Sequence, residues 1–258
     1  MTANAAPVQS IDRVLDIVEA LSAAPGGLSL AQLAARVELH PSTAHRLLAA
    51  LAARGYAQKS PAGGRYRLTL RLFEIGSRVA NETGLLSLSR PSLESLRERT
   101  GETVHLVVRD GCEAIYLYKE GAGGAEVRMG SSVGSRYPMY CTGVGKSLLA
   151  LLPEAEVERI WNAAPVTRFT DSTIVDFGAL RAELAKIRAA GYAVDREEHE
   201  PGVSCVAAAV RDFEGKPVAA VSVSAPSFRF TPNTERAFAP LVIETAAAIS
   251  RLLGSAPN

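Results

Sequence analysis

The sequence predicts an α+β protein in two parts: a winged helix-turn-helix over residues 8–70 and a C-terminal domain of mixed strands and helices over residues 89–254, joined by a linker helix over residues 71–88. Three observations predict it. Three helical segments and then a Gly-rich hairpin open the chain. Basic charge collects in the same third. Beyond it, apolar strand runs mix with helical runs, the pattern of a central antiparallel sheet with helices packed on it.

The first part turns on residues 28–56, LSLAQLAARVELHPSTAHRLLAALAARGY. Ser29 can cap a first helix, and Leu30, Leu33, Ala34 and Val37 recur at helical spacing. Pro41 cannot continue that helix, because it lacks an N–H and pushes His40 out of the α region. A second helix starts at Ser42 and buries Ala44, Leu47, Leu48 and Leu51. Thr43, His45, Arg46 and Ala50 face out, and Gly55 ends the helix. This is helix-turn-helix arithmetic, with the helix from Ser42 in the recognition position. The residues alone also allow an ordinary helical hairpin.

An amphipathic helix precedes this stretch. Ser10 can cap it, Ile11, Val14, Leu15, Val18 and Leu21 form its stripe, and Pro25-Gly26-Gly27 breaks it. After it, two short strands flank Pro61-Ala62-Gly63-Gly64, a hairpin signal. Its position makes it a wing, with Lys59, Arg65 and Arg67 where a wing meets phosphates.

Net charge over the chain is +1. Residues 1–80 hold nine Lys/Arg against five Asp/Glu, a net of +4, and the remainder holds 19 against 22, a net of −3. That asymmetry is expected of a nucleic-acid module on an acidic partner domain. No run approaches the roughly 20 apolar residues that span a bilayer. The opening MTANAAPVQS reads as a short disordered tail and not as a secretory signal. Three widely spaced cysteines, Cys112, Cys141 and Cys205, make no disulfide framework, so a reducing, cytoplasmic location is expected.

In the second part, a helix carries Leu93 and Leu96. Strands follow at residues 103–108, with Val104, Leu106 and Val108 alternating, and at 114–118. A loop at 121–124 leads to a short strand at 126–129. Helices follow Thr142 and open at Pro153. Another runs over residues 177–190 and ends at Gly191. Residues 203–210 and 218–224 read as buried strands, and Thr231-Pro232 opens the last helix.

Gly143, Val144, Gly145, Lys146 and Ser147 resemble the end of a phosphate-binding loop. The full motif needs glycine where this chain has Tyr140, which argues against a phosphate-binding enzyme. What remains is a turn feeding a helix, a place for an anion such as a carboxylate. Asp195 lies in a charged run just before an apolar strand, where an acid can accept from ligand hydroxyls. Ser222 and Ser224 share one side of their strand; two satisfied core hydroxyls are the alternative. Cys141, just upstream of a helix start, allows a redox signal shared with Cys205, against the reading of inert buried thiols. No metal-ligand spacing and no nucleophile elbow occur, so no metal, cofactor or catalytic residue is expected.

Taken together these segments resemble the IclR family of bacterial transcriptional regulators over nearly the whole chain. The carrying residues are Ser10-Ile11-Asp12-Arg13-Val14-Leu15, Pro41-Ser42-Thr43-Ala44-His45-Arg46-Leu47-Leu48, Gly64-Arg65-Tyr66-Arg67-Leu68, residues 137–150 (YPMYCTGVGKSLLA), Gly191-Tyr192, Asp195, Glu197-Glu198, Gly202-Val203, Cys205-Val206-Ala207 and residues 222–226 (SVSAP). The resemblance implies a winged DNA-binding head and a GAF-like effector domain, in dimers or tetramers on palindromic operators. It implies DNA contacts from Ser42, Thr43, His45, Arg46, Arg65 and Arg67. It implies an effector pocket of Met129, Tyr140, Gly143, Val144, Asp195, Val203, Cys205, Ser222 and Ser224, taking a small carboxylic acid. Tyr140 stands where the family commonly has His, and Ala209 where Pro is usual. With Arg128-Met129 and Phe228-Arg229-Phe230, Tyr140 is most similar to the 2-keto-3-deoxygluconate regulator branch, which implies a sugar acid or keto acid. The implied function is a ligand-responsive repressor of a catabolic operon.

Overall fold

The structure, a computed structural model, describes residues 8–61, 63–82, 84–121 and 129–255, with side chains throughout except over 77–82. The N-terminal tail, most of the 121–124 loop, and the strand expected at 126–129 up to residue 128 lie outside the described residues. The chain forms two compact units, Met1–Glu82 and Thr83–Asn258.

The first unit holds α1 (Gln9–Ser22), α2 (Leu30–Arg36), α3 (Pro41–Ala53), β1 (Ala57–Lys59), β2 (Tyr66–Leu68) and α4 (Arg71–Glu82). Ser29 and Gln32 cap α2 reciprocally, each side chain accepting from the other's backbone N–H at 3.2 and 3.0 Å. Glu38, with φ of 51°, supplies the left-handed residue of the tight turn into α3. That helix starts at Pro41, one residue before the expected start. His40 is its cap, with Nδ1 accepting from the Ser42 N–H at 3.4 Å, and Pro at the first helical position loses no hydrogen bond. Ile17, Leu21, Leu33, Leu48, Leu51 and Tyr66 form the core. Two expectations for α1 are corrected. Its cap position is Val8, without a side-chain bond, so Ser10 is inside the helix. Ile11 and Leu15 are 56% and 53% exposed, because the buried stripe runs through Ile17, Ala20 and Leu21 instead.

The expected helix over 71–88 is two helices. Gly84, left-handed at φ 63°, stands before α5 (Leu85–Thr100). The second unit continues with β3 (Thr103–Asp110), β4 (Glu113–Glu120), β5 (Arg136–Pro138), a 3₁₀ turn (Met139–Cys141), α6 (Gly143–Leu149), α7 (Glu154–Trp161), α8 (Phe177–Ala190), β6 (Ala193–Arg196), β7 (Val203–Arg211), β8 (Pro217–Pro226) and α9 (Pro232–Leu252). The six strands form one antiparallel sheet in the order β5-β4-β3-β8-β7-β6.

Helices cover both faces of this sheet. On one, Val104, Leu106, Val206, Val221 and Val223 pack with Leu93 and Leu96 of α5 and Val242 and Ile249 of α9. On the other, Val107, Tyr116, Ala207 and Ala220 pack with α6, α7 and α8. Neither short edge strand, β5 or β6, was expected. Among the described residues no helix is long and apolar enough to cross a membrane, and no His, Cys, Asp and Glu side chains group so as to hold a metal ion.

Candidate functional site

The strand register builds a polar patch on the α6 face of the sheet. Thr103, Ser224, Cys205 and Asp195 are partners across β3, β8, β7 and β6. Two residues along, His105, Ser222, Ala207 and Ala193 form the next row. Alternation along each strand sends both rows to one face. Against this patch lies a cavity of about 40 Å³. Of the expected effector residues, Met129, Asp195, Val203, Cys205 and Ser224 line it. His105, Tyr116, Ser131, Tyr137, Thr142, His199 and Glu200 also line it and were not expected.

His105 is the centre of the patch. Its Nδ1 lies 3.3 Å from Ser222 Oγ and 3.4 Å from Ser224 Oγ, and its Nε2 3.1 Å from Ser131 Oγ. Burial, with the Lys119 charge added, pushes its pKa down to about 3, so the imidazole is neutral. Above it, the Gly130 N–H donates to both Glu200 carboxylate oxygens at 3.0 and 3.1 Å. The Lys119 ammonium donates to the Met129 carbonyl at 3.2 Å and to the Ser131 carbonyl. Rings run outward from His105 through Tyr116, Tyr137 and His199 to Phe169, with centroids 4.3–5.3 Å apart.

Asp195 is no solvated loop acid. Its strand β6 holds it 8% exposed, and Oδ1 accepts from the Glu198 N–H at 2.8 Å. Burial pushes its pKa up to about 7, the Glu198 charge adding and Lys146 opposing. Lys146 is wholly buried; it donates to the Val194 carbonyl at 2.8 Å and pairs with the Glu198 carboxylate. Burial pushes Glu198 up as well, against the pull of Lys146, and its Oε2 has no partner. Two buried carboxyls therefore share one ammonium.

The turn that resembled a phosphate loop serves a different purpose. Thr142 fills it, accepting from the Gly145 N–H on Oγ1 at 3.1 Å and from the Lys146 N–H on its carbonyl at 2.9 Å. Gly143 packs against the Cys205 sulfur, and Val144 packs in the core. Both glycines permit close packing. A Cβ on Gly143 would stand 2.7 Å from Cys205 Sγ, and one on Gly145 2.3 Å from the Met139 carbonyl oxygen. Lys146 points into the sheet, so its ammonium is not offered to an anion at this turn.

Three further expectations change. Tyr140 lies outside the cavity: its hydroxyl donates to the Thr167 carbonyl and accepts from the Thr167 N–H, both at 2.8 Å. Ser222 sits behind His105 and does not line the cavity. Cys141 and Cys205 are buried, and burial with the Asp195 charge pushes both thiols up, opposite to a reactive thiolate. Of the residues that suggested a sugar-acid branch, Met129 lines the cavity and the others described do not. Phe228 is exposed and Arg229 pairs with Glu102 at 2.9 Å, while Arg128 is outside the described residues.

In the first unit, α3 presents Ser42, His45 and Arg46 to solvent, with Thr43 half-buried. Arg65 and Arg67 do not project freely from the wing. Arg65 Nη1 donates to the Gly27 carbonyl at 3.1 Å and Arg67 Nη2 to the Gly26 carbonyl at 3.2 Å, bracing the turn after α1.

Residues 10–61 match the model of the IclR helix-turn-helix domain, and residues 77–251 that of the bacterial transcriptional regulator IclR C-terminal domain. The DNA-binding transcriptional repressor YiaJ of Escherichia coli is 37% identical over 95% of this chain and 88% of its own length. The crystal structure of Thermotoga maritima IclR superposes with a TM-score of 0.83 at 32% identity, covering 96% of this chain and all of that one. An IclR homologue from Microbacterium hydrocarbonoxydans, complexed with 4-hydroxybenzoate, superposes with a TM-score of 0.82 at 25% identity, covering 95% and 98%. Matched in both its units, the chain belongs to the IclR family of bacterial transcriptional regulators: it is a DNA-binding transcriptional regulator and not an enzyme.

Proposed function

We propose that the protein is a cytoplasmic repressor of a catabolic operon whose grip on a palindromic operator is set by a small carboxylic acid bound beside Asp195. The observation that carries this reading is the buried polar row Ser224, Cys205 and Asp195, capped by His105, around a cavity. Polar groups are expensive to bury, and here they converge on one space. An Asp195 that holds its proton near neutral pH can donate to a carboxylate. His105, Ser224 and Thr142 are placed to meet hydroxyl or keto oxygens. The 4-hydroxybenzoate in the Microbacterium relative is itself a carboxylic acid, and the E. coli relative is a repressor.

A cavity of about 40 Å³ holds little more than a water. An organic acid enters only if the bonds from Gly130 to Glu200, Lys119 to Met129, and His105 to Ser131 are exchanged for bonds to the ligand. The ligand thereby favours one arrangement of the domain, the condition for a switch. The exposed Ile11, Leu15, Leu70 and Phe73 suit contacts between copies in a homo-oligomer.

The test is a thermal-shift panel of keto, sugar and aromatic acids, followed by operator mobility shifts with and without the acid that stabilises most. The reading fails if no acid raises the melting temperature, or if an Asp195→Ala protein still answers to the ligand.

A further inference from the structure

We propose a second small-molecule site in the C-terminal unit, separate from the Asp195 cavity and built for an uncharged aromatic ring. It is a cavity of about 350 Å³ on the far side of residues 138–140, within the volume range of small-molecule sites. Its floor is core: Met139, Leu149 and Leu180 are at most 1% exposed, and Val157 and Ile160 at most 8%. Its rim is aromatic. Trp161 stands edge-on to Tyr140 at 5.4 Å, and the Tyr140 ring is fixed by its two hydrogen bonds to Thr167.

The chain separates the two cavities residue by residue. Tyr137 and Thr142 line the Asp195 cavity, while Pro138, Met139 and Tyr140 line the aromatic one. That division explains why Tyr140, expected beside Asp195, lies apart from it.

The class of ligand follows from what the walls leave unsatisfied. The Tyr140 hydroxyl is engaged by Thr167, the Glu113 carboxylate accepts from Arg136 at 3.2 Å, and the Cys112 thiol lies 3.9 Å from Arg159 Nη1. A carboxylate guest would meet Glu113 and find Arg136 and Arg159 already paired with carboxylates, and a cation would forfeit its hydration for apolar walls. A neutral ring loses nothing by entering, and it gains edge and face contacts with Trp161 and Tyr140.

Trp161 is the sole tryptophan of the chain, so its fluorescence reports the site directly. Titrating the full-length protein with p-cresol or toluene should change Trp161 emission saturably, with matching heats in calorimetry. Ala164→Phe, which fills the rim, should weaken p-cresol at least about tenfold; Ala163→Phe is the second filling variant should the first fail to fold. Asp195→Asn should leave p-cresol affinity within about twofold. No saturable signal up to the solubility limit overturns the proposal. So does undiminished binding in a folded filling variant, or loss of binding in Asp195→Asn, which would put the probe in the acidic cavity.

Discussion

Glu198 holds Asp195 and Lys146 at once: its backbone N–H donates to Asp195 Oδ1 at 2.8 Å while its carboxylate pairs with the Lys146 ammonium. Residue 146 on α6 and residue 195 on β6 are thus joined through one residue, and the carboxyl that faces the cavity is positioned by a buried ion pair. Removing the ammonium leaves Glu198 buried without its partner. Lys146→Met should therefore cost about 3–5 kcal/mol in urea unfolding. The double variant Lys146→Met with Glu198→Leu should recover much of that loss, because no uncompensated charge remains. A double variant as unstable as the single one would count against this account.

Asp195 gives the protein a pH signature. Its folded pKa is raised to about 7 from an ordinary 3.8. Between those values the native state holds a proton that the unfolded state has released, so this residue lowers stability as pH rises from about 4 to about 7. Above that range the carboxyl is ionised in both states and its penalty is constant. Asp195→Asn carries no such charge. Its stability advantage over the parent should be small near pH 4, grow through neutrality and then level off. Melting curves of the two proteins that stay parallel across this range would refute the raised value.

Arg46 and the wing arginines should separate by experiment. Arg46 is exposed on α3, so Arg46→Ala should weaken operator binding and lower its salt dependence without moving the melting temperature. Arg65 and Arg67 hold the Gly27 and Gly26 carbonyls. Replacing either with Ala should first cost stability, about 0.5–1.5 kcal/mol per bond. Equal melting temperatures for all three variants would return the wing arginines to the DNA.

The contact between Gly143 and Cys205 predicts a rescue. Gly143→Ala should destabilise by about 1–3 kcal/mol, because its Cβ would meet Cys205 Sγ at 2.7 Å. The same change in a Cys205→Ala background should cost clearly less, since the next neighbours, Ala207 and Asp195, lie at 3.4 and 3.6 Å. Additive losses in the double-mutant cycle would sink this explanation. Gly145→Ala meets main chain at 2.3 Å, and no side-chain substitution should relieve it.

The winged head was legible because its signals are local: Ser29 and Gln32 cap, Pro41 breaks, Gly55 ends. Ser222 and Ser224 were legible because alternation alone fixes their side. His105 was not. In β3 the apolar residues Val104, Leu106 and Val108 mark one face as core, which leaves His105 on the side that an open sheet shows to water. Here α6 covers that side, a fact no strand reveals by itself. Asp195 was found as a ligand-facing acid, but its burial in a strand was not, because β6 is four residues long and runs into a charged segment. The burial of Lys146 was not legible, because the glycines beside it suit either a ligand turn or a close-packed helix. Only the neighbouring strands decide between them.

The row Thr103, Ser224, Cys205 and Asp195 crosses four strands whose pairing is made entirely by main chain. Side chains in that row can be exchanged without disturbing the ladder beneath them. Each also comes from a separate stretch of sequence, so a change at one leaves the local signals of the others intact. Such a sheet works as a keyboard: Ser224, Cys205 and Asp195 are keys facing one cavity, and a change of key alters what the cavity offers while the strand pairing beneath stays as it is.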